Sequence, residues 1–192
     1  WGYHVIGILD DVMEAGTRYK GIPVIGPLSS LEQQMEDYDL GGQGIAYYDK
    51  DVENQGEAYR NDGVDIVTVD SISDAKGYAI GYTQEGEWTE YSIAVEKTAP
   101  YFYKANVASG LDFSSFIIMV DGKQVADTVK IPQTDSWNTY TTVDGKTSEI
   151  EAGDHILRVR ISGAYANIDW IAFAETKEEL EEMKVQVKVA GR

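Results

Sequence analysis

The sequence of 192 residues contains no cysteine and no long hydrophobic run. Without cysteine the chain has no disulfide framework, no thiolate metal site and no cysteine nucleophile, although this absence does not identify its compartment. No apolar run approaches the ~18–20 residues that span a bilayer, and residues 1–9 lack the basic start and long apolar stretch of a signal peptide. We therefore expect a soluble chain, a fragment of a longer one, that does not enter a membrane.

Basic side chains are also scarce. The sequence has 16 Lys and Arg against 33 Asp and Glu, which gives a net charge of −17 and a pI near 4.3. Nucleic acids and anionic membranes are bound largely through neutralisation of their phosphates, so this charge argues against both as partners. Neutral or cationic partners are favoured instead.

The usual catalytic motifs are missing. The sequence has no His-Glu-x-x-His, no Gly-x-Ser-x-Gly and no Gly-x-x-x-x-Gly-Lys-[Ser/Thr], so zinc peptidase, esterase and P-loop chemistry lack their starting residues. The only histidines are His4 and His155, and His155 opens a strand pattern that favours a structural role. Two carboxylates in a cleft could still make a glycosidase, and 33 acidic residues supply too many pairs to choose among.

Three segments differ in pattern. Residues 1–33 predict a strand at 5–9, a second strand at 21–26 and a short helix introduced by the capping box that starts at Ser30. Residues 34–174 form the main domain. Residues 175–192 form a tail or short helix, since Thr176 begins a second capping box.

The main domain has the pattern of an all-β fold. Short segments of alternating apolar and polar residues recur about every ten residues and are separated by Gly, Asp and Asn turns. The evidence is strongest over residues 89–173, where Asp121-Gly122 and Asp144-Gly145 each predict a hairpin. We expect antiparallel sheets with one buried face, packed as a β-sandwich or closed into a barrel.

Two aromatic residues in polar loops suggest a binding site. Tyr59 and Trp137 lie in turn-rich segments, where a large ring either folds back onto the core or waits for a ligand. A flat ring presents its π face to the C–H groups of a sugar, and a planar amide such as that of Asn167 pairs with vicinal hydroxyls. Together they would hold an uncharged sugar.

The same residues belong to a set of motifs in fixed order. Residues from 34 to about 174 resemble a family 6 carbohydrate-binding module. This resemblance implies a lectin-like β-sandwich jelly roll that binds polysaccharide and has no catalytic activity. Such modules accompany extracellular glycoside hydrolases that act on xylan, cellulose, other β-glucans or agarose. The resemblance is carried by Met35-Glu-Asp-Tyr-Asp, Gly41-Gly-Gln-Gly-Ile-Ala-Tyr-Tyr-Asp, Glu53-Asn-Gln-Gly, Ala58-Tyr-Arg, Gly63-Val-Asp-Ile, Gly86-Glu-Trp-Thr-Glu-Tyr and Asn167-Ile-Asp-Trp-Ile.

The resemblance also implies roles for single residues. In a cleft at the loop end, Tyr59 and Trp137 would sandwich a sugar while Asn167 hydrogen-bonds its hydroxyls. Gln43 stands where some members have a glutamate that shapes recognition of chain ends, so that contact would lose its charge. Some members have a second sugar cleft on the concave sheet face, and no residue of the sequence decides whether it is present.

A structural calcium ion is implied as well. It would be held by Gln34, Glu36 and Asp169 together with backbone carbonyls, a set of oxygen ligands that suits a hard cation. The family motif usually starts with two acidic residues spaced by one, whereas the first is Gln34 here. This replacement removes one charged ligand.

These observations predict a secreted, extracellular, monomeric module that is not an enzyme and targets an attached glycoside hydrolase to plant-type polysaccharide. Xylan or xylo-oligosaccharides are the first choice of ligand, with cellulose and β-glucan next. An alternative is an enzyme, either a small glycosidase or a fragment of sugar-nucleotide machinery, because residues 1–33 resemble part of the Rossmann-type region of bacterial polyprenyl-phosphate sugar transferases. A third interpretation is a structural or adhesion domain that binds no glycan.

Overall fold

The computed structural model describes residues 32–70 and 76–182, preceded by the short strands β1 (Arg18–Tyr19) and β2 (Ile22–Pro23). These two strands pair with each other in antiparallel fashion. The strand predicted at residues 5–9 lies outside the described residues. None of the helices in the described part of the chain is sufficiently long and apolar to cross a membrane.

Two antiparallel sheets form the body of the protein. The first sheet has the order β10-β9-β13-β7-β4, with β11 also pairing with β9, and the second has the order β12-β8-β14-β6-β5, with β3 also pairing with β14. The strands are β3 (Glu32–Gln34), β4 (Tyr47–Tyr48), β5 (Ile66–Asp70), β6 (Lys76–Ile80), β7 (Trp88–Val95), β8 (Ala99–Ala108), β9 (Ser115–Val120), β10 (Lys123–Gln124), β11 (Val129–Lys130), β12 (Thr141–Ile150), β13 (Gly153–Gly163) and β14 (Asn167–Ala174).

The core lies between the two sheets and follows from the alternation in the sequence. Every second residue of β7 is buried, including Tyr91, Ile93 and Val95, because successive side chains of a strand point to opposite faces. Tyr101 and Tyr103 of β8 turn inward from the second sheet to meet them in one continuous cluster. The predicted all-β sandwich jelly roll is confirmed.

The two Asp-Gly pairs behave differently. Asp121 and Gly122 have positive φ values of 47° and 76° and join β9 to β10, as a tight hairpin requires. Asp144 and Gly145 lie instead inside β12, so the hairpin predicted there is wrong. Gly145 is opposite Tyr103, and a Cβ at this position would come within 2.3 Å of the Tyr103 hydroxyl. Gly145 therefore makes room for a ring from the neighbouring strand.

The helix predicted after Ser30 is also wrong. Residues Glu32–Gln34 form β3, and only the single 3-10 turn Met35–Asp37 follows. The turn has no side-chain hydrogen bond at its N-cap, and the Met35 side chain is buried in the core. β3 instead pairs with β14 along its whole length, from Glu32 opposite Ala172 to Gln34 opposite Trp170.

The C-terminal helix begins as predicted. The backbone N–H of Thr176 donates to the Glu179 carboxylate, and the Glu179 N–H donates to the Thr176 hydroxyl, which is the reciprocal pattern of a capping box. Residues 177–182 are helical, and Leu180 packs against Ala172 and Ala174 of β14. This short helix therefore covers part of the outer face of the second sheet.

Candidate functional site

Loops at one end of the second sheet surround a groove. β8 ends at Ala108 opposite Asn167, the first residue of β14, and β12 begins opposite Val107. β6 ends at the same place, because Ile80 pairs with Ile168. The groove has a volume of about 400 Å³ and is lined by Val67, Tyr82, Trp137, Asn138, Tyr165 and Asn167.

Three large aromatic rings in this groove face solvent. Tyr82 is 52% exposed, Trp137 is 45% exposed and Tyr165 is 49% exposed. In the described residues none of these rings stacks on another aromatic ring. Half-exposed rings that converge on one groove, next to amide groups, are typical of a binding site rather than of core packing.

The Trp137 ring rests on a glycine. A Cβ at Gly110 would lie only 2.9–3.0 Å from three carbon atoms of the indole six-membered ring, so one face of the ring packs directly on the Gly110 backbone. The backbone carbonyl of Trp137 accepts a hydrogen bond of 2.9 Å from the Asn167 amide. The half-exposed Trp137 also lines the groove.

Asn167 is the buried amide that joins the loops. Its side chain is 5% exposed and also hydrogen-bonds Tyr140, whose pKa is raised by burial and by the nearby charge of Asp169. Glycine at position 81 leaves room for this amide, because a Cβ there would lie 3.0 Å from the side-chain oxygen Oδ1 of Asn167. The groove therefore has neutral hydrogen-bonding groups at its base.

Tyr82 and Tyr165 are held in an unusual backbone conformation. Their φ angles are +49° and +62°, in the left-handed region that few residues other than glycine adopt. Thr83 connects the two loops: its carbonyl accepts from the Tyr165 N–H at 2.7 Å, and its hydroxyl both donates to and accepts from the Ala166 backbone. Such strain persists only where the surrounding structure fixes it, and it clusters at functional sites.

Tyr59 does not line this groove. Its ring packs against Tyr78 with centroids 4.9 Å apart, and its hydroxyl hydrogen-bonds the Asp37 carboxylate. The expected pairing of Tyr59 with Trp137 is therefore corrected, since Tyr82 is the tyrosine that shares the groove with Trp137. The roles of Trp137 and Asn167 in sugar binding stay predictions, and the structure brings these two residues together.

Gln43 also lies outside the residues that line the groove. Its side-chain amide donates to the Asp49 carbonyl, and its carbonyl oxygen accepts from the Asp49 N–H. Both hydrogen bonds brace the turn that leads into and out of β4. The expected contact of Gln43 with a chain end therefore has no counterpart in this groove.

Sequence reasoning missed Tyr82, Asn138 and Tyr165. A usable signal was the position of Tyr82 and Tyr165 in Gly81-Tyr82-Thr83 and Ala164-Tyr165-Ala166, where a large ring stands between small residues just after or before a strand. The same signal also selects Tyr59, which follows Ala58. Which ring reaches the groove depends on where the strands end.

The residues predicted to hold calcium lie close to β14. Gln34 of β3 is opposite Trp170, next to Asp169, and Glu36 follows in the 3-10 turn. Glu36 is 7% exposed and Asp169 is 3% exposed, and the charges of both raise the pKa of Tyr140. Burying two neighbouring carboxylates is costly unless a cation or hydrogen bonds compensate them. An all-oxygen set of this kind fits calcium.

A second acidic cluster lies elsewhere. Oxygen atoms of Asp49, Asp51 and Asp65 are all within 4.8 Å of one another. Burial, together with the charges of the neighbouring carboxylates, raises the pKa of Asp49 to about 6 and that of Asp65 to about 6. The Asp49 and Asp65 side chains accept backbone hydrogen bonds that hold the loops before β5.

Comparison with protein families gives a match over most of the chain. A family model described as carbohydrate binding module (family 6) matches residues 55–175. A comparison with curated proteins finds none that matches.

Solved structures share the fold. A module from Cellvibrio mixtus lichenase 5A in complex with cellotriose is 22% identical with a TM-score of 0.59, and covers 77% of this chain and 98% of its own. A Clostridium stercorarium module in complex with cellobiose is 24% identical with a TM-score of 0.58, covering 79% and 98%. The C-terminal module of a laminarinase from Zobellia galactanivorans is 22% identical with a TM-score of 0.58, covering 75% and 98%.

Proposed function

The chain belongs to carbohydrate-binding module family 6, and from this premise we propose that it binds an uncharged polysaccharide in the groove lined by Tyr82, Trp137 and Tyr165. The family consists of binding modules rather than catalysts. The observation that carries the proposal is the combination of three half-exposed rings with the amides of Asn138 and Asn167 around a groove that, in the part of the chain the structure describes, is lined by no charged side chain.

The chemistry of the groove suits a neutral sugar. The open face of an aromatic ring attracts the slightly positive C–H groups of a pyranose, and each such contact contributes about 0.5–1.5 kcal/mol beyond the area it buries. Amide groups donate to and accept from vicinal hydroxyls at about 1 kcal/mol net for each hydrogen bond. A few contacts of this size give a modest affinity, which becomes useful when the ligand is a polymer that offers many sites.

Xylan or xylo-oligosaccharides are the first choice of ligand, followed by cellulose and other β-glucans. Similar folds have been solved with cellotriose, cellobiose and, in a module from Clostridium cellulolyticum, xylose. These ligands share a pyranose ring with hydroxyls around its edge, and the aromatic rings and amides of the groove suit that shape.

Affinity electrophoresis and calorimetry with soluble xylan, mixed β-glucan and agarose test the proposal. Replacing either groove ring, in Trp137→Ala or Tyr82→Ala, should weaken binding about tenfold or more, because each ring supplies one face of the stacking site. Tyr59→Ala is the matched control, since Tyr59 is an equally exposed tyrosine outside the groove lining. It should bind like the parent protein.

Two results would overturn the proposal. Full binding by Trp137→Ala to every polysaccharide that the parent binds would place the site elsewhere. Release of reducing sugar by the purified chain, lost on replacement of a carboxylate pair, would make it a glycosidase instead of a binding module.

The biological role is to hold an attached glycoside hydrolase on its polysaccharide outside the cell, as a monomer. In a protein that carries this chain together with a hydrolase, Trp137→Ala should slow hydrolysis of insoluble xylan and leave hydrolysis of soluble xylo-oligosaccharides unchanged, because only the insoluble substrate needs tethering. Equal loss on both substrates would contradict the targeting role. Light scattering of the purified chain at several concentrations tests whether it is a monomer.

Calcium bound by Gln34, Glu36 and Asp169 stabilises the join between β3 and β14. The ion would add a positive charge beside the two buried carboxylates, of which Asp169 also accepts a hydrogen bond from the Asn106 amide, and these residues would hold it with their oxygen atoms. A ligand that binds only the folded chain raises its melting temperature. Chelation should therefore lower the melting temperature of the parent protein, and added calcium should restore it.

Glu36→Gln separates this site from others. The variant keeps the shape of the side chain and loses one carboxylate, so its melting temperature should respond much less to calcium than that of the parent. Asp154→Asn, which removes an exposed carboxylate, is the control and should respond like the parent. An undiminished response in Glu36→Gln would assign the ion to other residues, of which Asp49, Asp51 and Asp65 are the nearest in chemistry.

A further inference from the structure

We infer that Tyr165 determines ligand length, so that the groove recognises at least two consecutive sugar residues rather than one. The inference rests on the proposed function and concerns the same groove. A pyranose has two faces, and two rings are enough to cover them; we assign these to Tyr82 and Trp137, whereas the groove contains a third half-exposed ring.

The third ring is not used for packing. Tyr165 is 49% exposed, and in the described part of the chain its ring stacks on no other aromatic side chain. A ring that neither fills the core nor faces an already occupied sugar surface is available to the next sugar along the chain. Stacking on that second sugar adds affinity only for ligands that possess it.

The backbone of Tyr165 is fixed before any ligand arrives. Its carbonyl accepts hydrogen bonds of 3.1 Å from the hydroxyls of Ser109 and Ser114, and its N–H donates to the Thr83 carbonyl. Ser109, Ser114 and Thr83 are all 2% exposed or less. Three buried polar residues thus hold one exposed tyrosine in the left-handed conformation, with φ at +62°. Binding then needs little ordering of this loop, which favours a specific contact.

The ligand class follows from the lining. Among the described residues, the lining of the groove includes no charged side chain, so we take its ligand to be an uncharged chain of two or more pyranoses, and uronic acids gain no ion pair from these residues. Thr83 links the Tyr82 and Tyr165 loops directly, so we assign Tyr165 to the sugar next to the one that contacts Tyr82 and Trp137.

The test compares ligand lengths. Binding of xylose, xylobiose and xylotriose, and of glucose, cellobiose and cellotriose, is measured by NMR titration of the Trp137 indole and by calorimetry. For the parent protein we expect the disaccharide to bind several-fold more tightly than the monosaccharide. In Tyr165→Ala the ratio of disaccharide to monosaccharide affinity should fall about three- to tenfold, the size of one stacking contact.

Two further variants keep the result interpretable. Tyr165→Asn removes the ring but suits a positive φ, because asparagine tolerates the left-handed conformation better than other residues with side chains. It should reproduce the fall seen in Tyr165→Ala. Tyr48→Ala removes a tyrosine that is 40% exposed outside the groove lining and should leave the ratio as in the parent.

The possible failures differ from one another. If the parent binds saccharides through Trp137 but both Tyr165 variants keep the parent ratio, the length role of Tyr165 is wrong and the proposed function stands. An equal loss for every ligand length would assign Tyr165 to the same sugar as Trp137 and also overturn the inference. If the parent binds no saccharide of any length, the proposed function fails together with the inference.

Discussion

At the scale of single residues, Gly110 decides where the Trp137 ring lies. A methyl group at Gly110 would come within 3.0 Å of the indole, and the ring has to move because the backbone below it cannot. Trp137 is 45% exposed, so the shift costs little folding energy. We expect Gly110→Ala to weaken polysaccharide binding about three- to tenfold and to leave the free energy of unfolding within about 1 kcal/mol of the parent value.

Gly41→Ala is a matched control for this prediction. Its new methyl group would meet the exposed side chain of Ile45 at 2.8 Å, so it creates a similar small displacement outside the groove lining. Calorimetry with the best polysaccharide ligand and urea unfolding of both variants give the two quantities. Unchanged binding by Gly110→Ala would show that the indole position is unimportant for the ligand.

The residues of the groove could be predicted only in part. Trp137 and Asn167 were recognisable because a large ring in a polar loop and an amide beside a strand are chemically conspicuous. Tyr59 and Tyr82 look alike in sequence, since both stand next to small residues in turns. They differ in tertiary contacts: Tyr59 packs against Tyr78, whereas Tyr82 follows the end of β6 at the groove. The local sequence around a tyrosine does not predict which strand ends lie next to it in the fold.

At the scale of the strands, Gly145 is required by the ring of its partner strand. A Cβ at Gly145 of β12 would lie 2.3 Å from the hydroxyl oxygen of Tyr103 and 2.5 Å from its ring. Tyr103 is 5% exposed and cannot move outward. Gly145→Ala should therefore lower the free energy of unfolding by about 1–3 kcal/mol, the usual cost of overpacking a core, as measured by urea unfolding.

A double-mutant cycle identifies the cause. Tyr103→Phe removes the atom closest to the new methyl group, so part of the loss in Gly145→Ala should be recovered when the two changes are combined. Additive effects would mean that the methyl group does not act through Tyr103. Loss of intrinsic glycine flexibility acts in the opposite direction, since alanine is the better residue in a strand.

Two capping motifs of the same type had different outcomes. At Thr176 the capping box forms, because residues 177–182 have a sheet face below them that buries Leu180. At Ser30 the predicted helix is replaced by β3, because β14 offers an edge for pairing. Hydrophobic alternation predicted most strands correctly. In β7 and β8, for example, the apolar residues of the local pattern are also the residues that the sandwich buries. Sequence predicts an element where local and tertiary preferences coincide.

At the scale of the whole molecule, some of the acidic side chains that give the chain its negative charge are buried, among them Asp49, Asp65 and Glu87. Burial raises the pKa of Asp49 and of Asp65 to about 6, and burial also raises the pKa of Glu87. The hydrogen bond to Asp121 raises the pKa of His155, whereas the same contact lowers the pKa of Asp121. These groups make the stability of the fold depend on pH.

The direction of this dependence follows from proton uptake. Between their unfolded pKa of 3.8 and their folded pKa of about 6, Asp49 and Asp65 bind more protons in the folded chain, so stability rises as pH falls through this range. The contribution of His155 is present below its ordinary pKa and is lost as pH rises through the raised value. Asp121, whose pKa is lowered, opposes the trend, and it does so below its ordinary pKa of 3.8.

Polysaccharide binding should not share this pH dependence, because the described residues that line the groove include no carboxylate, imidazole or cationic side chain. With chelator present, the free energy of unfolding should be about 1–3 kcal/mol higher at pH 5 than at pH 8, while the affinity for polysaccharide stays within about twofold.

Asp49→Asn should be more stable than the parent at pH 8 and show a smaller pH effect, because one buried charge is gone. The exposed change Asp154→Asn alters the net charge equally and should keep the parent's pH effect. A parallel fall of affinity and stability toward pH 8 would mean that the acidic cluster controls the shape of the groove, whereas a fold that is most stable at pH 8 would contradict the burial of Asp49 and Asp65.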